Sequence, residues 1–272
     1  MDITTVASYR TARTRADLAL RPGEVVLAGG TWLMSEPQPD TTGFVDLTGL
    51  GWDELVVSDE GLRIGATCTI ARLVAWAEDE APADWRAASL VPDAANALLA
   101  SFKIWNTATV GGNVCRSFAA AGMVSLAAAL DGTVEIWTPD GGTRTQAVAE
   151  FVTGNGTNTL AHGEVLRAVH LPASALRSHA LLRKIALAEL GRSGAVVTGR
   201  VDEDASSVFV ITAATLTPTV LRFAALPAAA ELADAVAAAS GYYTDPLGSA
   251  DWRRGVSGVL AERIRAELEA DA

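Results

Sequence analysis

The sequence predicts an α+β protein made of three successive units. Three observations predict this fold class: strand and helix patterns alternate over the first fifty residues, a β-hairpin pattern opens a second unit near Gly51, and similar patterns return from about Ala173. The chain has 272 residues, half of them apolar. That is enough for a sizeable core and for one large domain or two.

The first unit is expected to be a small α/β unit over residues 1–50. Thr14-x-x-Asp17 has the form of a capping box and predicts the start of a helix. The apolar run at 24–28 predicts a strand that stops at a glycine pair, and the run at 44–47 predicts another strand. Strand, helix and strand in alternation favour the α/β arrangement.

The second unit is expected to be larger and to cover residues 51–172. Apolar runs at 55–57 and 62–67 flank a polar turn, which predicts a β-hairpin, and a helix follows from Thr69. The later elements are predicted as a helix at 92–102, a glycine-broken turn at 110–114, a helix at 123–130, and strands at 133–137 and 165–171.

The third unit, residues 173–272, repeats the mixture of strands and helices. The segments at 184–187, 194–197 and 208–211 are candidates for strands or for helix entries, and the predicted helices are at 226–240 and 249–268.

Charge and cysteine content exclude several classes of protein. With 21 basic and 32 acidic side chains the net charge is −11, which excludes an ordinary nucleic-acid binder. Cys68 and Cys115 are too few for a disulfide framework or an iron–sulfur cluster held by this chain alone. No secretory signal and no run of about 18 apolar residues is found, so a soluble, cytoplasmic protein without a membrane span is expected.

Two glycine pairs stand next to hydroxyl or amide side chains and allow two interpretations, ordinary tight turns, which the residues alone favour, or an anion site. They lie in the segments Ala28-Gly29-Gly30-Thr31 and Thr109-Val110-Gly111-Gly112-Asn113. Glycines let consecutive backbone N–H groups approach an anion, so two such loops are able to hold a pyrophosphate. No complete dinucleotide, P-loop or zinc motif occurs, so we predict no catalytic and no metal-ligating residue.

Several segments in a fixed order carry a family resemblance. They are Leu27-Ala28-Gly29-Gly30-Thr31, Ile64-Gly65-Ala66-Thr67, Asn106-x-x-Thr109-Val110-Gly111-Gly112-Asn113, Gly163-Glu164-Val165-Leu166, Arg183-Lys184 and the stretch from Asp245 to Arg254. Together they resemble the FAD-binding medium subunit of the molybdenum hydroxylases, the group of xanthine dehydrogenase, aldehyde oxidoreductase and carbon monoxide dehydrogenase. The resemblance covers nearly the whole chain.

The resemblance implies a two-part, PCMH-like FAD-binding domain at 1–172, with subdomains at about 1–50 and 51–172. A C-terminal domain of the carbon monoxide dehydrogenase flavoprotein type, made of antiparallel strands and helices, is implied at 173–272. The implied FAD-binding residues are Leu27, Ala28, Gly29, Gly30, Thr31, Trp32, Leu33, Met34, Thr109, Gly111, Gly112, Asn113, Leu166 and Lys184. Leu99 is a further candidate for packing against FAD.

We expect different roles for the two lysines among the 21 basic residues. The resemblance puts Lys184 near the pyrimidine edge of the isoalloxazine, where a compact cation stabilises the reduced flavin. A surface lysine at a strand edge is the alternative for Lys184. Lys103 is assigned no chemistry.

The sequence departs from the family pattern at four places. Trp32 replaces an Asp, and Trp105 replaces an Arg. The segment from Phe118 to Gly122 stands where the family has Ser-Pro-Ala-Ala-Asp, so the Asp that would meet FAD is absent. Arg192 lies in the region where some members shield the isoalloxazine with an aromatic residue.

The function that the resemblance implies is electron transfer within an oxidoreductase complex. FAD on this chain would take electrons from a small [2Fe-2S] subunit and pass them to NAD, oxygen or another acceptor, while a large molybdopterin subunit oxidises the substrate. A structural subunit of the same kind of complex that has lost functional flavin binding is the alternative. A free-standing flavin oxidase with a similar FAD-binding fold is a third hypothesis. It is less favoured, because such enzymes usually carry a larger substrate domain with catalytic His, Tyr or Arg.

Overall fold

The fold is α+β, as predicted, with helices packed against mainly antiparallel sheets. A computed structural model describes residues 4–98, 101–188 and 191–271. Leu99 lies outside these described residues. Within them, no helix has both the length and the apolar character needed to cross a bilayer.

The first sheet has three parallel strands in the order β1-β3-β2. Its strands are β1 (Ser8–Thr11), β2 (Glu24–Leu27) and β3 (Gly43–Asp46). The predicted capping box forms, because Thr14 and Asp17 bond reciprocally, but the helix that it opens is a single 3-10 turn at Arg15–Leu18. Strand β2 ends two residues before Gly29.

The second sheet has five antiparallel strands in the order β4-β5-β10-β6-β7. Its strands are β4 (Leu55–Ser58), β5 (Gly61–Gly65), β6 (Thr133–Trp137), β7 (Thr143–Ala147) and β10 (Val165–Pro172), and a small hairpin pairs β8 (Val152–Gly154) with β9 (Thr157–Asn158). The helices of this part are α1 (Ile70–Asp79), α2 (Leu90–Ala97), α3 (Phe102–Trp105), α4 (Val110–Arg116), α5 (Gly122–Ala129) and α6 (Val148–Phe151).

The third sheet has four antiparallel strands in the order β11-β12-β13-β14. Its strands are β11 (His179–Ala186), β12 (Ser193–Val201), β13 (Ser207–Thr212) and β14 (Thr219–Phe223). The helices of this part are α7 (Ala173–Arg177), α8 (Ala229–Ala238) and α9 (Ala250–Ala270). The three sheets fall within the three ranges expected from the sequence, while the domain boundaries themselves stay predictions.

Two predicted elements between residues 90 and 116 are wrong. The glycine-broken turn at 110–114 is the helix α4, whose first turn is capped by the Thr109 hydroxyl, an acceptor for Gly112 N–H at 3.0 Å. The helix predicted at 92–102 ends at Ala97, and the separate helix α3 begins at Phe102. Local capping and packing override the low helix propensity of glycine in α4.

The third sheet is fastened to the helices of the second unit by buried polar contacts. The hydroxyls of Ser125 and Thr212 lie 2.6 Å apart, and Ala213 N–H donates to the Ala119 carbonyl at 2.7 Å. Ser193 Oγ donates to the Ala97 carbonyl at 2.9 Å. These bonds attach β12 and the end of β13 to α5, to the segment before α5 and to the last residue of α2.

Candidate cofactor-binding site

A cavity of about 1070 Å³ lies where the first two sheets and their helices meet. Small-molecule sites range from about 300 to 1,000 Å³, so this cavity suits a large ligand. Both glycine segments contribute to its wall, as do Val165 and Leu166 of β10. Arg192, at the entrance to β12, supplies a wall from the third sheet.

The first glycine segment presents a run of free backbone donors. After β2 the chain makes a turn that is closed by the bond from Met34 N–H to the Gly30 carbonyl, at 2.8 Å, with Gly30 at φ +68°. Among the described residues, none accepts a hydrogen bond from the N–H groups of residues 29–33. These five consecutive groups are available to oxygen atoms of a ligand.

The second glycine segment does not present such a run, which corrects the expectation that the N–H groups of both segments point at an anion. Val110 N–H donates to Cys68 O and Gly111 N–H to Ala66 O. Gly112 N–H donates to the Thr109 hydroxyl, as described above. These donors close the first turn of α4 within the protein, so this segment offers the cavity an exposed glycine surface instead.

The two inner glycines, Gly29 and Gly111, are required by the close approach of neighbouring segments. A Cβ on Gly29 would lie 1.9 Å from the Thr107 carbonyl oxygen, and one on Gly111 would lie 2.6 Å from the Ala66 carbonyl oxygen. Both contacts are with backbone carbonyl oxygens and not with the ends of flexible side chains. By contrast, a Cβ on Gly112 would meet only the Thr109 hydroxyl.

Most of the expected site residues lie together at the cavity. Those on its wall are Ala28, Gly29, Gly30, Thr31, Trp32, Leu33, Thr109, Gly111, Gly112, Asn113 and Leu166. Leu27 is buried at the end of β2, and Leu27, Met34 and Lys184 are not on the wall.

Lys184 lies on β11, the edge strand of the third sheet. Its Nζ donates to the Asn96 carbonyl at 2.7 Å, near the end of α2. Leu98, two residues further along, is part of the cavity wall. Lys184 therefore reaches the segment that borders the cavity without lining the cavity itself.

Gly122, where the family pattern has an Asp, begins α5 and is buried. A Cβ at this position would lie 2.3 Å from the Ala94 carbonyl oxygen of α2. Ala120 and Ala121 line the cavity just before it. The tight contact with α2 explains why no larger residue stands at 122 in this chain.

Arg116 and Phe118 belong to the cavity wall although sequence reasoning did not include them among the site residues. The Arg116 guanidinium carbon lies 3.7 Å from the ring centroid of Trp32 and 4.3 Å from that of Phe118. Burial lowers the pKa of Arg116, against the opposing effect of Glu36. A helical interpretation of 110–116 would have found Arg116, because it lies one turn beyond Gly112 on the same helix face.

Two other titratable groups on the wall are neutral or neutralised. Burial raises the pKa of the Cys115 thiol to about 12, so the thiol is protonated at neutral pH. Glu164 forms an ion pair with Arg144 at 2.6 Å, and the hydrogen bonds from Arg144 lower the pKa of this carboxyl.

Comparison with known proteins gives a consistent result for the first two units. The family described as FAD binding domain in molybdopterin dehydrogenase matches residues 5–174. The putative xanthine dehydrogenase FAD-binding subunit XdhB of Escherichia coli K12 is 33% identical over 177 residues, which are 61% of this chain and 58% of that protein. The xanthine dehydrogenase FAD-binding subunit of Escherichia coli O157:H7 is also 33% identical, over 179 residues. The match thus spans less than two thirds of these relatives.

Solved structures share the fold over almost the full chain. The similarity to a chain of reconstituted CO dehydrogenase from Oligotropha carboxidovorans has a TM-score of 0.85 at 20% identity and covers 97% of this chain and 98% of that chain. A chain of quinoline 2-oxidoreductase from Pseudomonas putida 86 gives a TM-score of 0.80 at 21% identity, with 97% of each chain covered. At this identity the similarity establishes the fold alone.

Proposed function

This chain belongs to the family of FAD-binding domains of molybdopterin dehydrogenases, and on that premise we propose that it is the electron-transfer flavoprotein of a multi-subunit molybdenum hydroxylase. It takes electrons from a small [2Fe-2S] partner and passes them to an acceptor such as NAD or oxygen. A large molybdopterin-binding partner carries the substrate chemistry. The proposal makes this chain an oxidoreductase component without a substrate site of its own.

The observation that carries the proposal is the cavity with five free N–H groups on one wall. Residues 29–33 offer donors to a dianionic diphosphate, and a volume of about 1070 Å³ accommodates a dinucleotide. The residues present therefore fit FAD, although the family Asp is absent at Gly122. This fit favours a flavin-binding subunit over the structural subunit considered as the alternative.

The protein's own groups have separate tasks in this proposal. FAD, when bound, supplies the chemistry of accepting and releasing electrons. Residues 29–33 hold its diphosphate, Leu166 and neighbouring apolar side chains exclude water from the ring system, and Thr109 keeps α4 in place. Lys184 is proposed, on the family resemblance, to place its positive charge at the pyrimidine edge of the flavin.

FAD binding is tested on the purified full chain by its visible flavin absorbance and by titration with FAD. We expect one FAD per chain and loss of binding in Gly112→Glu, because the new carboxylate enters the cavity next to the diphosphate. Gly255→Glu is the matched control, since Gly255 is also a helical glycine and nothing lies within 4 Å of its added Cβ. No flavin bound to the parent chain, even with candidate partner subunits present, would refute the proposal.

Electron transfer is tested by reducing the FAD-loaded chain and following flavin reoxidation after mixing with NAD⁺ or with oxygen. A reoxidation rate that increases with the concentration of either compound identifies that compound as an acceptor. A chain that binds FAD but is neither reduced by a [2Fe-2S] protein nor reoxidised by any acceptor would instead support the structural subunit.

A further inference from the structure

Arg116 is a cation in the cavity wall that forms no ion pair at contact distance with the described residues, and Glu36 acts on it only from further away. Its Nε is buried without a hydrogen-bond partner, and no carboxylate of residues 4–98, 101–188 and 191–271 lies within ion-pair distance. The side chain as a whole is half-buried, and a buried donor atom without a partner costs free energy. A group with this environment is suited to receive an anion from outside the protein.

The guanidinium is held by two aromatic rings, and its two terminal nitrogens form no hydrogen bond with the described residues. The centroids of Trp32 and Phe118 are 6.1 Å apart and the two rings meet edge to face. Because Arg116 lies about 4 Å from both centroids, the rings contact it from adjoining sides. The planar fork of N–H donors on a guanidinium matches phosphate oxygens in a bidentate manner.

The charges of the cavity wall also favour an anionic ligand. The charged residues on the wall are Glu36, Arg116, Glu164 and Arg192. Glu164 is neutralised by Arg144, and Glu36 is exposed to solvent, which screens it. Arg192 lies 5.4 Å from the Phe118 ring centroid, so two arginines flank this ring without a buried carboxylate beside them.

The position of Arg116 connects the two glycine segments. Arg116 follows Gly112 by four residues on α4, so the two share a helix face about 6 Å apart along the axis, and both line the cavity. Trp32, which contacts the guanidinium, belongs to the run of free N–H groups at 29–33. The guanidinium thus contacts the side chain of a residue that belongs to the run of free donors.

We propose that Arg116, held by Trp32 and Phe118, is the side-chain anchor for the diphosphate of the dinucleotide. This inference rests on the proposed function and adds a cation to a site otherwise made of backbone donors. Trp32 and Phe118 stand where the resemblance expects an Asp and a Ser. A carboxylate at position 32 would compete with phosphate for the guanidinium, whereas the uncharged tryptophan ring holds Arg116 without pairing with its terminal N–H donors.

The test compares ligands that do and do not contain the diphosphate, using the full chain and calorimetry or fluorescence titration. The ligands are FAD, ADP and riboflavin. We expect Arg116→Gln to weaken FAD and ADP by at least about tenfold, the range of lost charge-assisted hydrogen bonds, and riboflavin by less than about twofold. Arg116→Lys keeps the charge but not the fork and should restore part of the affinity for ADP.

Arg86→Gln is the matched control, because it removes the same charge from an exposed residue that does not line the cavity. It should change none of the three affinities by more than about twofold. Increasing salt should weaken FAD binding less steeply in Arg116→Gln than in the parent, since one ionic contact is lost. Thermal unfolding of each variant without ligand establishes that the fold persists.

The outcomes separate this inference from the proposed function. Unchanged FAD and ADP affinity in folded Arg116→Gln overturns the diphosphate anchor while the FAD site stands. Equal loss for riboflavin and ADP also overturns it, because the guanidinium would then act on the flavin ring. A parent chain that binds ADP but not FAD contradicts the proposed function, and one that binds neither contradicts both.

Discussion

At the scale of single residues, Glu24 shows how one buried carboxylate supports the loop that follows it. It begins β2, four residues before Ala28, and accepts hydrogen bonds from Arg10 at 2.7 and 3.1 Å and from Arg21 N–H at 2.8 Å. The bonds from Arg10, followed by that from Arg21, lower the pKa of Glu24 to about 2.

Glu24→Gln is expected to lower the free energy of unfolding at pH 7 by about 1.5–3 kcal/mol, the usual worth of hydrogen bonds to a charged group. Because the folded pKa is lowered, the stabilisation is complete above the ordinary value of 4.5 and disappears as the pH falls through about 2. Urea unfolding from pH 7 to pH 2 measures this difference. Glu60→Gln, at an exposed turn residue, is the control, and a difference independent of pH would contradict the assignment.

Lys184→Met separates the two interpretations of this lysine. If its ammonium acts on the flavin, the reduction potential becomes more negative, because a positive charge that stabilises the reduced form is lost. If it only holds the Asn96 carbonyl, stability falls and the potential is unchanged. Potentiometric titration of the FAD-loaded chain measures the first effect and thermal unfolding the second. Lys103→Met, at an exposed lysine on α3, is the matched control.

At the scale of elements, α4 shows how a short helix with two glycines is held in place. Thr109→Ala is expected to destabilise the fold by about 1 kcal/mol, because Gly112 N–H loses its cap. Thr109→Ser keeps the hydroxyl and should retain most of the stability. Urea unfolding of the three proteins measures the difference, and equal losses in both variants would assign the effect to the threonine methyl group instead.

Patterns of apolar residues predicted the well-buried elements and missed several strands that are only partly buried, among them β14. The runs at 133–137 and 165–171 are strands β6 and β10, because their side chains alternate or stay buried in a covered sheet. Strand β1, with the sequence Ser-Tyr-Arg-Thr, and β7, with Thr-Arg-Thr-Gln-Ala, were missed. Their positions depend on pairing with β3 and β6, which no local pattern reports.

The sequence predicted one part of the candidate site and missed another part, which depends on tertiary contacts. The motif order located the two glycine segments, and the family resemblance that it suggested is confirmed. The contacts of Arg116 with Trp32 and Phe118 were not predictable, because residues 32 and 116 meet only through the tertiary fold. The hydrogen bonds that the N–H groups of residues 110–112 form within the protein were not predicted, because residues 110–114 were interpreted as a turn.

At the scale of the whole molecule, Arg253 connects the third sheet to the last helix. This fully buried side chain of α9 donates to the carbonyl oxygens of Gly194 and Ala213 and pairs with Asp245. Ala213 in turn donates its N–H to the Ala119 carbonyl, next to residues of the cavity wall. The C-terminal helix therefore supports the cavity through two successive contacts.

Arg253→Met is expected to cost about 3 kcal/mol or more, because two carbonyls and a carboxylate lose their buried partner. It should also weaken FAD binding, since the Ala119 segment loses support. Arg254→Met is the control, because the side chain of Arg254, the next residue, is 41% exposed and forms an ion pair with Asp251 at 3.0 Å. This variant should cost less than about 1 kcal/mol. Thermal unfolding and FAD titration measure both effects, and similar stability losses in the two variants would contradict this role.

The order in which the cavity wall occurs along the chain has a consequence for biosynthesis. The wall begins at Val26 and its last residue is Arg192, with α4 and β10 between them. Synthesis proceeds at about 5–20 residues per second, so the first glycine segment precedes Arg192 by about 10 to 30 s. Until residues 109–121 and 160–166 have been synthesised, the donors at 29–33 have no facing wall, so the complete cavity forms only late in synthesis.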